Sequence, residues 1–433
     1  MEVRKYYAAF PLFTFLATYF ATAVLANIIF LTEFGSSWPA ISISDFSWKN
    51  FTVTFGLEYW ALILCPFLLA PLFAATGKML AAPVLRFIKP AIQEIDRTTF
   101  TLTSALLYFY IYLSLLRAGA VQAILGGATG VETVEARFRL LENLGYWPQA
   151  AMMSLGVFLA VYSIIKALRR RGIFWTIFAA LHVAALSLAL LLLSMKWPLV
   201  LFLIMVAVCV FLYSPRLPIG RLALVGLLIV VAYFGTSIAL LRLTNYDADG
   251  NRIVTEQSIT NRIAVAITTN VPRLAVQAMN RMAISVPYYY EIFSNDRPCG
   301  DLLDRIKRKP SPCHPSTLVY ESMFPADGFE GRGTAPAAIH ISGYALQGWT
   351  GALIELGLAG LILGGFMAAW KYAASDIWAA IFAMGAYIGY FCSQSPIEAT
   401  IIYPHGLTWW AIPVIAYGAI AMIISIGRYR EAL

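Results

Sequence analysis

Apolar residues run along this chain in blocks of about twenty, separated by short polar stretches. Blocks near 7–31, 54–76, 98–116, 148–167, 173–195, 197–214, 222–241, 346–369, 377–394 and 406–427 hold few charges. Each is long enough for a helix to cross a hydrocarbon core about 30 Å thick. The pattern predicts an all-α polytopic membrane protein with about ten transmembrane helices. Pro198, in the short turn Lys196-Trp197-Pro198, suits the start of a helix. The first block follows Arg4 and Lys5, exceeds the apolar core of a signal sequence and shows no small-residue cleavage site. It reads as a retained helix.

The polar stretches divide the chain into three parts. Residues 1–241 hold helices 1–7 with a loop at 117–147, residues 242–345 form one long polar segment, and residues 346–433 hold helices 8–10. An unstructured loop of about 100 residues is rare inside a compact protein, so 242–345 is expected to be a small folded cap with a function. Within it, Ser258–Ile292 reads as two amphipathic helices split at Pro272, with Asn270 as a cap. In the second, Arg273, Gln277 and Arg281 fall at i, i+4 and i+8 on one stripe, with Leu274, Ala275, Ala278 and Met282 on another face. That arrangement predicts a helix lying against the outer membrane surface.

Composition agrees with the pattern. The chain is 60% hydrophobic and 12% charged, whereas soluble domains are about half apolar and about a quarter charged. The net charge of +8 is accounted for by topology rather than by nucleic acid, which is not expected as a partner. With the N-terminus inside, the inward segments hold fifteen Lys and Arg and the short outward loops five. By the positive-inside rule both termini are cytoplasmic. The long segment carries eleven Lys and Arg against ten Asp and Glu and is exempt from that rule because of its length.

Cys65, Cys209 and Cys392 fall in apolar blocks and read as small packing residues. Cys299 and Cys313 fall in the long outer segment, in CGDLLDRIKRKPSPC. In an oxidising compartment they are expected to pair, stabilising the cap by up to about 3 kcal/mol. The alternative, a metal site of Cys299, Cys313 and His314, lacks a fourth ligand.

No phosphate loop, zinc-protease motif or nucleophile elbow occurs in a plausible context. What stands out is outward arginine: Arg117 at the end of the third helix, Arg273 and Arg281 on one face, and Arg332 between glycines. Guanidinium groups bind phosphate oxygens bidentately, so these four are candidates for a lipid diphosphate. The ordinary alternatives are an interfacial anchor for Arg117 and a solvated helix face for Arg273 and Arg281. His340, near the start of a helix, is the candidate general base. Glu330 and Asp327 in PADGFEGRG are rivals, and His405 lies at another outward end. Tyr288, Tyr289, Tyr290, Tyr344 and Trp349 are candidates to stack on sugar rings, or else an interfacial aromatic belt.

The stretch GTAPAAIHISGYALQGWTGALIELGLAGLILGG (Gly333–Gly365) resembles the segment after the large outer loop of bacterial O-antigen polymerases, relatives of the O-antigen ligases. A proline-containing turn leads there to an aromatic residue, then through G-x-x-G into a glycine-rich helix. Arg332 and Gly343 also show an Arg-x10-Gly spacing, whereas Arg117 and Gly127 have nine residues between them. The resemblance covers the architecture of most of the chain and about twenty residues specifically. It implies a lipid-linked glycan polymerase/ligase (GT-C-like) fold in the bacterial inner membrane, with a periplasmic active site. It further implies transfer of an oligosaccharide from undecaprenyl diphosphate to a sugar hydroxyl of a second lipid-linked unit, without metal or nucleotide cofactor. Partners implied are undecaprenyl-diphosphate-linked glycans, membrane lipid and a chain-length regulator protein. On this reading His340 or Glu330 is the base, Arg117, Arg273, Arg281 and Arg332 hold the diphosphate, and Tyr288, Tyr289, Tyr344 and Trp349 hold sugar. A ligase acting on lipid A core is the near alternative. A transporter or flippase is the distant one and requires ionisable residues at mid-membrane, for which His182 and Glu355 are the candidates.

Overall fold

The computed structural model describes residues 7–31, 55–125, 131–170, 172–193, 195–214, 282, 284–295, 314–323 and 333–431, with a few positions between 219 and 228. Among these residues every regular element is helical. The principal ones are α1 (Tyr7–Ile29), α2 (Leu57–Ile88), α3 (Arg97–Arg117), α4 (Tyr146–Arg170), α5 (Ile173–Leu192) and α6 (Lys196–Tyr213). They continue with α7 (Ser285–Asn295), α8 (Ile339–Ala369), α9 (Asp376–Gln394) and α10 (Thr408–Glu431). Among the described residues seven helices are long and apolar enough to cross a membrane, and apolar parts of α6 and α10 are shorter. Together they coincide with nine of the predicted blocks. The block at 222–241 lies almost wholly outside the described residues, as do Arg273, Arg281, Cys299, Cys313, Glu330 and Arg332.

Some boundaries differ from the sequence pattern. The second block was expected to end at residue 76, yet α2 runs to Ile88. Gly77 and Pro83 follow Ala75 but do not stop the helix, as membrane helices tolerate such residues, and it ends at Lys89-Pro90. The eighth block was expected to start at 346, yet its helix begins at Ile339 and is broken at Gln347–Gly348. The second cap helix was expected to lie on the membrane surface. Over its described part Met282, Ser285, Val286, Tyr289 and Phe293 are instead buried in protein.

The chain divides into two compact units. The first joins residues up to Ala82 with 267–368 and 385–400; the second holds 83–266, 369–384 and 401–433. In the first unit α2 and α8 touch backbone to backbone. A Cβ placed on Gly360 or Gly364 would collide with Phe73 or with the Ala74 backbone, the small-residue contact that membrane helices favour.

In α1 a wide π-turn spans Phe20–Leu25. Tyr19 and Asn27 lie eight residues apart, which in a regular helix rotates them about 80° away from each other. The wider turn takes up roughly one residue, and both side chains are fully buried. Tyr19 Oη donates to Ile63 O at 3.0 Å, and Asn27 Oδ1 accepts from Tyr59 Oη at 2.7 Å. Asn27 Nδ2 returns to Ala23 O at 2.7 Å.

In the second unit one end gathers the charges. Glu94 accepts from Lys166 Nζ at 3.0 Å, Tyr162 Oη at 2.9 Å, Ser375 Oγ at 2.8 Å and the Asp376 amide at 2.7 Å. Lys166, a buried lysine, also lies over the rings of Tyr162 and Trp175. Asp376 pairs with Arg170 at 2.9 Å and Arg169 at 3.3 Å, and Arg169 donates to the Ala373 carbonyl at 2.7 Å. These residues come from segments that the charge rule assigned to one side. His182, within α5, meets Ser104 Oγ at 3.1 Å and Tyr108 Oη at 2.9 Å. Both ring nitrogens are therefore matched, as a packed polar contact requires.

Burial alone would raise the Glu94 carboxyl, but hydrogen bonds from Lys166, Ser375 and Tyr162 outweigh it and hold the group at about 2, below its ordinary 4.5. A depressed carboxylate stabilises the fold fully above its unfolded value and loses that contribution as pH falls toward the folded one. Thermal unfolding in detergent is expected to show a drop in stability between about pH 4.3 and 2 that Glu94→Gln lacks. At neutral pH, Glu94→Ala leaves Lys166 buried without its counter-ion and is expected to cost about 3 kcal/mol.

Candidate functional site

The side chains that could face a substrate in the first unit gather around Glu58. This residue opens α2, in the first turn, and is exposed. Trp349 Nε1 donates to Glu58 Oε1 at 3.0 Å. Tyr290, on α7, is pushed up to about 12 by burial and by the Glu58 carboxylate beside its hydroxyl. Its ring stacks on Tyr344 at 5.8 Å and 17°, and receives Tyr59 edge-on at 5.4 Å. Tyr344 in turn meets Trp349 edge-on at 6.1 Å. Tyr59 and Tyr344 are buried, while Tyr290 and Trp349 are half-buried, so the wall shows its outer rings and one carboxylate.

Three separate stretches build this wall, and α8 explains how. Gln347 and Gly348 leave the helical conformation, and Gly348 takes φ +60° and ψ −146°. A side chain is strongly disfavoured there. The bend brings the backbones of Gly343 and Gly351 together so closely that a Cβ on either would collide with the other. The corner thus sets Tyr344 on one arm and Trp349 at the start of the other.

Beneath the wall, α7 is tied to the segment entering α8. Ser285 Oγ donates to Pro336 O at 2.7 Å and Tyr289 Oη to Ala335 O at 3.2 Å. His340 is fully buried, with its Nε2 3.1 Å from Tyr19 Oη and its ring edge-on to Tyr19. Because Tyr19 donates to Ile63 O, it is placed to accept from Nε2–H, which leaves Nδ1 as the bare nitrogen. Thr22 links the same region: its hydroxyl accepts from Gln394 Nε2 at 2.9 Å and lies 3.6 Å from Met282 Sδ.

The residues expected to form the site are therefore sorted by burial. Tyr344 and Trp349 are brought together. Tyr288 and Tyr289 are buried and present no open ring face. A general base must come within about 3 Å of the proton it takes, and His340 is closed to solvent by Tyr19 and its own packing. In this structure it positions α8 against α1. Arg117 ends α3 in the second unit and is exposed. His405 is half-buried there; desolvation pulls its imidazole down to about 3, and its ring centroid lies 6.2 Å from that of Tyr403. Arg273, Arg281, Arg332 and Glu330 lie outside the described residues, as does the Cys299–Cys313 pair.

Glu58 and Tyr59 escaped the sequence reading. An acid in the first turn of a helix is ordinary, because it compensates the helix dipole. The available signal was the Glu-Tyr-Trp triplet at the mouth of an apolar block, a cluster that only the fold joins to Tyr290 and Trp349. Compared with family models, curated proteins and solved structures, the chain matches none of them.

Two variants separate packing from chemistry. His340→Ala removes a fully buried ring and is expected to destabilise the protein by about 3 kcal/mol, seen as a lower melting temperature in detergent. Gly348→Ala forces a Cβ into a conformation that costs about 1–3 kcal/mol. It is expected to move Trp349 off Glu58, checked by a change in the indole fluorescence of a variant whose other tryptophans are replaced.

Proposed function

We propose that this protein is a membrane glycosyltransferase that polymerises lipid-linked glycans. On this reading it moves an oligosaccharide from undecaprenyl diphosphate to a sugar hydroxyl of a second lipid-linked unit, at the periplasmic face of a bacterial inner membrane. The observation that carries the reading is the wall of Tyr290, Tyr344 and Trp349 around the exposed Glu58. Sugar rings present apolar C–H faces and hydroxyl donors. An aromatic surface beside a carboxylate complements both. The wall stands at the α2 and α8 ends that charge assigns outward, and two of its residues lie in the stretch that resembles the polymerases.

The protein's part in such a transfer is to position the acceptor, take its proton and stabilise the departing diphosphate. Tyr290 and Trp349 hold sugar in this proposal, and Arg273, Arg281 and Arg332 are the proposed holders of the diphosphate. His340 positions the broken helix, and Glu330 stays a rival base. The transporter reading loses one of its two mid-membrane candidates, since His182 is matched by Ser104 and Tyr108.

Purified protein given synthetic undecaprenyl-diphosphate repeat units is expected to yield a ladder of lengthened lipid-linked glycans. Trp349→Ala is expected to lower kcat/KM about tenfold, equivalent to about 1.4 kcal/mol of sugar contact. Transfer to added lipid A core without a ladder assigns the protein as a ligase. Absence of both products from a matched substrate overturns the glycosyltransferase reading.

A further inference from the structure

We infer that Glu58 is the general base of the transfer, an assignment that rests on the polymerase reading above. The base has to be open to a substrate, carry a lone pair aimed at it, and stand where sugar binds. Glu58 is exposed, whereas His340 has no exposed surface. Glu355 and Glu398 are also buried in the first unit. Glu58 stands against Trp349 and Tyr290, the two half-buried rings of the wall.

The carboxylate is oriented as well as placed. A carboxylate has about four lone-pair directions. The Trp349 indole N–H fixes Oε1 at 3.0 Å, and the Tyr290 hydroxyl lies on the same group. Both donors are neutral and stay protonated through the ordinary pH range, so they hold the rotamer without supplying a competing charge. The rings beneath are fixed in turn: Tyr59 by Asn27, and the α8 corner by Gly348. The remaining lone pairs face solvent, where an acceptor hydroxyl lying on the Trp349 ring would reach them. Such support of a reacting group by packed, hydrogen-bonded neighbours is what precise positioning requires.

The step balances without a co-reactant. The acceptor hydroxyl gives its proton to a Glu58 oxygen as its own oxygen forms a bond to the donor's anomeric carbon. The bond from that carbon to the diphosphate oxygen breaks, and its electron pair leaves with undecaprenyl diphosphate. Direct displacement inverts the anomeric centre. Glu58 then returns its proton to water.

A merely structural Glu58 would compensate the dipole of α2 and bind Trp349, without touching the proton. Glu58→Gln keeps the shape and an oxygen for the indole N–H but removes the base. It is expected to lower kcat at least 100-fold, in the range for loss of a general base, with KM changed less than about threefold. The wild-type kcat/KM profile is expected to show an acidic limb that this variant lacks, and Glu58→Asp is expected to recover part of the rate. A wild-type ladder with Glu58→Gln within threefold of full rate overturns the assignment and leaves the polymerase reading standing. A wild-type profile with no acidic limb overturns it too, even if the variant fails to fold. Absence of any ladder from wild type removes the polymerase reading itself and the assignment with it.

Discussion

Hydrocarbon offers no partner to a polar group, and an unmatched one costs several kcal/mol. The buried polar side chains of these helices are arranged around that constraint. Asn27 is matched by Tyr59 and by its own helix; His182 is matched at both nitrogens by Ser104 and Tyr108. Lys166 is held by Glu94 and two aromatic rings. The Asn27–Tyr59 pair and the contacts of His182 with Ser104 and Tyr108 each join one helix to another and so fix which faces meet. The π-turn in α1 serves the same end, because it lets Tyr19 and Asn27 share a buried side.

Backbone obeys the same constraint at the corner of α8. A helix that breaks near a membrane exposes its amides and carbonyls, and the break is tolerated where protein covers it. Around Gln347 and Gly348 the cover comes from the close approach of Gly343 and Gly351. The break is also where the aromatic wall begins, so the feature that strains the helix is the one that presents Trp349 to Glu58. Helix α7, from the long polar segment, is part of this packing through Ser285 and Tyr289 rather than a cover laid on top of it.

Burial separates residues that composition makes look alike. Tyr288, Tyr289, Tyr290 and Tyr344 belong to two short stretches and share one chemistry, yet of these four Tyr290 alone is half-buried rather than buried. His340 and Glu58 both carry an atom able to accept a proton. One is sealed behind Tyr19 and the other faces out. A site built this way is defined by which ring faces remain uncovered once the helices have met.

The sequence by itself determined the helices, because the length of an apolar block is read directly against the thickness of a membrane. It determined the outward and inward ends as an expectation, through the Lys and Arg bias. Gly348 and the aromatic residues around it were legible as an unusual stretch, but not as a corner. The tertiary structure decided the rest: that His340 meets Tyr19, 321 residues away in sequence, and that Trp349 meets Glu58 across 291. Apolar periodicity carries no record of such pairs. Which helix faces touch is set by polar matching and small-residue contact between distant segments, and those energies exist only once the helices are side by side.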